Sequence, residues 1–251
     1  MSSFQRTSVA IILSLFTCVS CSNLEQPNTG KLTVMAASSL TNVFSDIAEM
    51  FQTANPEADV KLIFAGSGSL REQVIDGAYF DIIATANQDV MDALIEAAEV
   101  TDPKVFARNV LTLVSPIDQQ PPISSPDQLR ESNLLVGVCI ETVPCGALTF
   151  DYLTSAGLKP NIVTKEQNVR SLLTKVLENE LDAAFVYVTD AQLHPDKVIS
   201  IPLLPKHLKA ANYPIARSAG SDTSELALKF LEFLGTDKVL SLLISYGFLL
   251  P

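Results

Sequence analysis

Three strand-to-helix junctions place hydroxyls and backbone amides where they could hold an anion. At the first, the β-forming run KLTVMA (31–36) passes into Ala37-Ser38-Ser39 and then a helical pattern. Ser39 falls at the N-cap position. There its hydroxyl can serve the helix's own free N–H groups, or together with them face an oxyanion. At the second, KLIFA (61–65) runs into Gly66-Ser67-Gly68-Ser69. The glycines permit close backbone approach, and a Gly/Ser turn ahead of a helix can form an anion nest or simply be a flexible turn. At the third, LLVGVC (134–139) leads to Thr142-Val143-Pro144-Cys145-Gly146. Pro144 suits a first helical turn, so the Cys145 N–H could point out of the helix start. The chemistry on offer is capture. The Gly66–Ser69 turn lacks the lysine of a P-loop and the spacing of a dinucleotide fingerprint. There is no GxSxG elbow, and the two histidines, His194 and His207, lie in polar late segments away from Ser39 and Cys145. A hydrolase is therefore disfavoured.

The elements that must position these junctions alternate along the chain. Strand patterns at 31–36, 59–65 and 81–84 are each followed by a helical pattern, at 40–52, 70–76 and 88–98. Apolar residues at Leu40, Val43, Phe44, Ile47 and Phe51 show the helical spacing. The pattern restarts with strands at 110–114 and 134–139, a helix from about Gly146, a helix at 169–178 and strands at 183–187 and 198–203. A strand at 213–217 and helices at 225–234 and 237–245 close the chain. Such alternation implies right-handed crossovers and an α/β fold with mostly parallel sheet. Ligands in open sheets of this kind bind at the carboxyl ends of the strands, which is where all three junctions lie. The expected organisation is one lobe from 30–107 plus 213–251 and a second from 108–212, with a cleft between them.

Composition narrows the class of partner. The chain has 251 residues, 47% hydrophobic and 18% charged, with a net charge of −11. That is a globular composition, and the acidic balance argues against nucleic acid, whose phosphates call for a basic face. Residues 1–20 read as a signal peptide: Arg6 is followed by the short apolar run VAIILSLF and then small residues. Cys21, in CVSCSN, stands where a bacterial lipoprotein signal would end, with Cys18 three residues upstream where leucine is usual. Lipidation at Cys21 would anchor the protein to a membrane, and 21–30 would be a polar tether. A cleaved signal without lipid is the alternative. Cys139 and Cys145, six residues apart, could form a disulfide in that oxidising compartment.

The strings VMAASSLTNVFSDIA, FAGSGSLREQV, GAYFDIIATAN, ETVPCG, NVRSLLTKV, AFVYVTDA and YGF, in this order and spacing, resemble the periplasmic molybdate-binding protein family of ABC transporters over about 31–250. The resemblance implies a type II periplasmic-binding-protein fold, two α/β lobes joined by a hinge of crossing strands. It implies capture of molybdate or tungstate in the cleft and delivery to a membrane permease, by a monomer with no cofactor. The ligand contacts it implies are the Ser39 and Ser67 hydroxyls, the backbone N–H groups of Cys145 and Val169, and the Tyr187 hydroxyl. Cys145 stands where some relatives have alanine. Other solutes, such as sulfate, thiosulfate or a ferric complex, are the alternative. A ligand with an amino-acid carboxylate would instead call on Arg71 or Arg170.

Overall fold

The computed structural model describes residues 30–130, 133–220 and 225–251. The signal segment, Cys21 and nearly all of the tether lie outside the described residues.

Strand β1 (Lys31–Ala37) is buried along most of its length, as expected of a parallel strand covered on both faces. It pairs in parallel with β2 (Asp59–Ala65) on one side and with β3 (Ile82–Ala84) on the other. Helix α1 (Thr41–Ala54) buries Val43, Phe44, Ile47, Ala48 and Phe51, the apolar stripe visible in the sequence. Helices α2 (Ser67–Ile75) and α3 (Gln88–Glu96) cover the sheet through a smaller core that includes Met35, Leu70, Ile83 and Met91. The main core is continuous from Leu32 to Phe248 and gathers residues of every sheet strand except the edge strands at 59–65 and 162–166, whose Val60, Leu62, Phe64 and Ile162 pack against it half-buried.

The second group of strands repeats the arrangement. Strand β5 (Val136–Cys139) pairs in parallel with β6 (Ile162–Glu166) and with β7 (Ala183–Tyr187). Helix α4 (Pro144–Ala156) follows β5, α5 (Val169–Leu177) follows β6, and the short α6 (Val188–Gln192) follows β7.

Two long antiparallel strands connect the groups. Strand β4 (Val100–Pro116) pairs with β9 (Ala210–Ser218) from Val100 to Val110, with β7 from Leu111 to Val114, and with β8 (Val198–Ile201) at its end. Strand β9 also pairs with β3, so the strand order runs β2-β1-β3-β9-β4-β7-β5-β6. The chain positions 107/108 and 212/213 fall inside β4 and β9, where Ala107 faces Tyr213 and Arg108 faces Asn212. Helices α7 (Glu225–Phe233) and α8 (Asp237–Ser245) return to the first group, where Phe230 packs on Phe44 and Phe51.

The sequence patterning misses part of this. Strand β4 is 17 residues long where 110–114 is expected. Its first half carries Asp102, Pro103 and Lys104, and the pairing with β9 shifts register between Thr101 and Lys104. A proline in a polar stretch suppresses the strand signal, and an irregularity is where a ladder tolerates it. Strand β6 is absent from the sequence reading because it is a short, half-exposed edge strand with Lys165 and Glu166 in it. Helix α2 begins at Ser67, three residues earlier than the apolar pattern, and α4 begins at Pro144.

Candidate functional site

Six segments at the carboxyl ends of strands meet around one pocket. The end of β1 and the turn after it contribute Ala37, Ser38 and Ser39, the turn after β2 contributes Gly66 and Ser67, and the loop after β3 contributes Ala86. From the other group come Val143, Pro144 and Cys145 after β5, Gln167, Asn168 and Val169 after β6, and Tyr187 at the end of β7. The space between them is about 230 Å³, including its open mouth. No lining residue carries a charge. All five residues singled out in the sequence, Ser39, Ser67, Cys145, Val169 and Tyr187, are brought together here.

Each helix start leaves N–H groups that its own ladder cannot satisfy. In α2 the first amide to bond back is that of Leu70, to the Gly66 carbonyl at 3.0 Å. In α4 it is Ala147, to Val143 at 3.0 Å, so the Cys145 and Gly146 N–H groups face outward. In α5 it is Leu172, to Asn168 at 3.3 Å, while the Asn168 side chain caps the Ser171 N–H at 2.9 Å. The Val169 N–H is thereby left to the pocket. Cys139 and Cys145 are joined by a disulfide that ties the end of β5 to the start of α4. This seven-residue loop is so tight that a Cβ on Gly146 would lie 1.8 Å from the Ile140 carbonyl oxygen, so only glycine fits.

The hydroxyls are held from behind. The Ser67 Oγ accepts the Ala86 N–H at 3.0 Å, and the Ser39 Oγ lies 2.9 Å from the Tyr213 hydroxyl. Tyr187 is buried, and its hydroxyl has no partner of hydrogen-bond geometry, although the Tyr213 hydroxyl stands close by. Burial, reinforced by Tyr213 and Asp190, pushes the Tyr187 hydroxyl well above the usual tyrosine range. Burial does the same to Tyr213. Both stay protonated, and Tyr187 is a buried donor facing a cavity with its hydrogen bond unmade, which is costly unless a guest accepts it. This donor set can hold an acceptor-only guest.

The arginines are employed elsewhere. Arg170 makes an ion pair with buried Asp190, Nε to Oδ1 at 2.9 Å, and Asp190 also accepts the Tyr187 N–H at 3.3 Å. Arg71 lies beside Glu72 at 3.8 Å on the surface. Neither lines the pocket, so no guanidinium is presented to a ligand carboxylate.

The family model for bacterial extracellular solute-binding proteins matches residues 32–249. The chain belongs to this family. Among relatives of these solute-binding proteins, the molybdate-binding protein ModA of Mycobacterium bovis is 31% identical over 97% of this chain and 96% of its own. The ModA of Haemophilus influenzae is 30% identical over 87% of this chain and 89% of its own. In fold, the chain is similar to the periplasmic molybdate-binding protein of Azotobacter vinelandii, with a TM-score of 0.79 at 16% identity over 88% of this chain and 99% of that one. The architecture is thus the two-lobed α/β type II periplasmic-binding-protein fold, and the likeness to the molybdate-binding family read in the sequence holds.

Sequence reasoning missed the pocket's inner support in this solute-binding protein. Gln167 and Asn168 escaped because β6 before them was not recognised. Tyr213 and Asn109 escaped because both sit on crossing strands, where a polar residue carries no local signal. Asn109 is buried and donates from Nδ2 to the Thr189 Oγ1 at 2.8 Å and toward the Tyr213 hydroxyl at 3.5 Å.

Proposed function

We propose that this protein captures molybdate or tungstate in the pocket and delivers it to the membrane permease of an ABC importer. One observation carries the reading. Uncharged donors from both strand groups converge on a cavity with no acidic or basic side chain, inside a protein of net charge −11. A tetrahedral dianion has four oxygens that only accept. The Ser39 and Ser67 hydroxyls, the Cys145 and Val169 N–H groups and the Tyr187 hydroxyl supply donors of the matching kind. The names of the relatives support the choice of oxyanion. Lobe I comprises 30–107 plus 213–251 and lobe II 108–212, with β4 and β9 as the hinge. The protein acts as a monomeric carrier, with no catalytic step and no cofactor, exported by residues 1–20 and tethered through lipidated Cys21.

The test is thermal unfolding of the exported form with a panel of oxyanions. Free molybdate at about 100 times its Kd stabilises the folded state by about 2.7 kcal/mol. For a domain of this size that raises the melting temperature by about 5–10 °C. Sulfate and phosphate at equal concentration should produce a smaller shift. A panel in which sulfate matches molybdate would reassign the ligand, and no shift with any oxyanion would remove the reading.

A further inference from the structure

We infer that Tyr213, held by Asn109, is a specificity-determining positioning residue that locks the Ser39 hydroxyl as a donor into the pocket. The inference rests on the oxyanion reading of that pocket and deepens it. The direction of the hydrogen bonds follows from Asn109. Its Oδ1 accepts the Val110 N–H at 2.9 Å, which fixes the amide orientation. Its Nδ2 then faces the Thr189 Oγ1 at 2.8 Å and the Tyr213 hydroxyl at 3.5 Å. An amide nitrogen can only donate. The Tyr213 proton therefore does not turn toward Asn109; of the two hydroxyls beside it, that of Tyr187 lacks hydrogen-bond geometry and the Ser39 Oγ lies at 2.9 Å, so Ser39 is the acceptor. Tyr213 is wholly buried and stays protonated, so this donor is permanent.

With a Tyr213 proton on its oxygen, Ser39 must direct its own proton elsewhere, and the space it lines is the pocket. Ser67 is polarised in the same sense, because its oxygen already accepts the Ala86 N–H. Each serine then has one lone pair engaged from behind, and its proton, which has no other partner, is what it offers inward first. A guest oxygen that carries a proton, as in hydrogen phosphate, meets those donor protons and gains less than a bare oxygen. Selection between protonated and bare oxyanions is thus set partly behind the pocket, by a residue that does not line it.

Tyr213→Phe removes the hydroxyl and keeps the ring, which packs on Phe106, Tyr187 and Phe248. Calorimetry of molybdate and phosphate binding near neutral pH gives a selectivity ratio for wild type, Tyr213→Phe, Ser39→Ala and the double variant. The ratio should fall by about tenfold in Tyr213→Phe, the size of one hydrogen bond. In the Ser39→Ala background, adding Tyr213→Phe should change it little, because the relay acts through Ser39. The same four proteins, unfolded without ligand, should show coupling between the two sites. A merely structural tyrosine would weaken both anions alike, leaving the ratio unchanged, and that result overturns the inference. Zero coupling in the ligand-free cycle overturns it as well. Wild-type protein that binds neither anion overturns the oxyanion reading, and the relay's role falls with it.

Discussion

Ser67 accepts the buried Ala86 N–H with its oxygen and lines the pocket, where its proton is free to serve a guest. Ser67→Ala deletes a hydroxyl from the pocket, the one proposed to bind the oxyanion, and leaves that N–H without its partner. Molybdate binding should weaken by about 10–100-fold, the value of one hydrogen bond to a charged acceptor. Titration calorimetry reads it, and unchanged affinity would place the anion elsewhere. Asp190 offers a different handle. Burial, the largest influence, pushes its carboxyl up to about 6, against the opposing pull of Arg170 and the Tyr187 N–H. A carboxyl that ionises later in the folded state than in the unfolded state holds its extra proton when folded. Its contribution to stability is therefore fully present below about 4 and is lost as pH rises through about 6. Urea unfolding at a series of pH values should show wild type gaining on Asp190→Asn as pH falls from about 7 to about 4. A difference flat across that window would show that Asp190 ionises in the folded protein as it does in water.

Elements meet at a few close backbone approaches, and among the glycines Gly66 makes the closest one between the pocket loops of the two strand groups. A Cβ there would stand 2.7 Å from the Gln167 carbonyl oxygen, although its own φ of −61° suits any residue. Gly66→Ala should force apart the loops that open α2 and α5 without deleting a donor. Overpacking of this kind costs about 1–3 kcal/mol, so molybdate should dissociate at least about fivefold faster in stopped-flow. An unchanged off-rate would show that the loops part without loss. At the start of α4, replacing Cys139 and Cys145 together with serine removes a short cross-link worth about 2 kcal/mol. Chemical denaturation should report that loss, together with weaker binding as the Cys145 N–H gains freedom. Most of these elements were legible in the residues. The apolar stripe of α1 and the β-forming runs of β1, β2 and β7 announce themselves. Strand β6 did not, because an edge strand is only half buried and tolerates charge. The first half of β4 did not, because Pro103 sits in it.

For the whole molecule, a neutral pocket inside an acidic protein has a kinetic consequence. A net charge of −11 repels an approaching dianion over distances on the order of a Debye length, ~30 Å at 0.01 M salt and ~10 Å at 0.1 M. Added salt should therefore speed molybdate association, the opposite of an electrostatically steered ligand. Stopped-flow association at increasing sodium chloride checks this, and a rate that falls with salt would point to a local positive field. The alternation of elements and the identity of the donors at the strand ends are written in the residues themselves. Both follow from local rules, the periodicity of apolar residues and the turn chemistry of Gly, Ser and Pro. Convergence of those donors on one cavity was decided by the tertiary structure alone, through β4 and β9, which bring two separately wound groups of strands face to face. So was the buried chain from Asn109 through Tyr213 to Ser39, because hydrogen bonds between residues 104 and 174 positions apart leave no trace in local sequence.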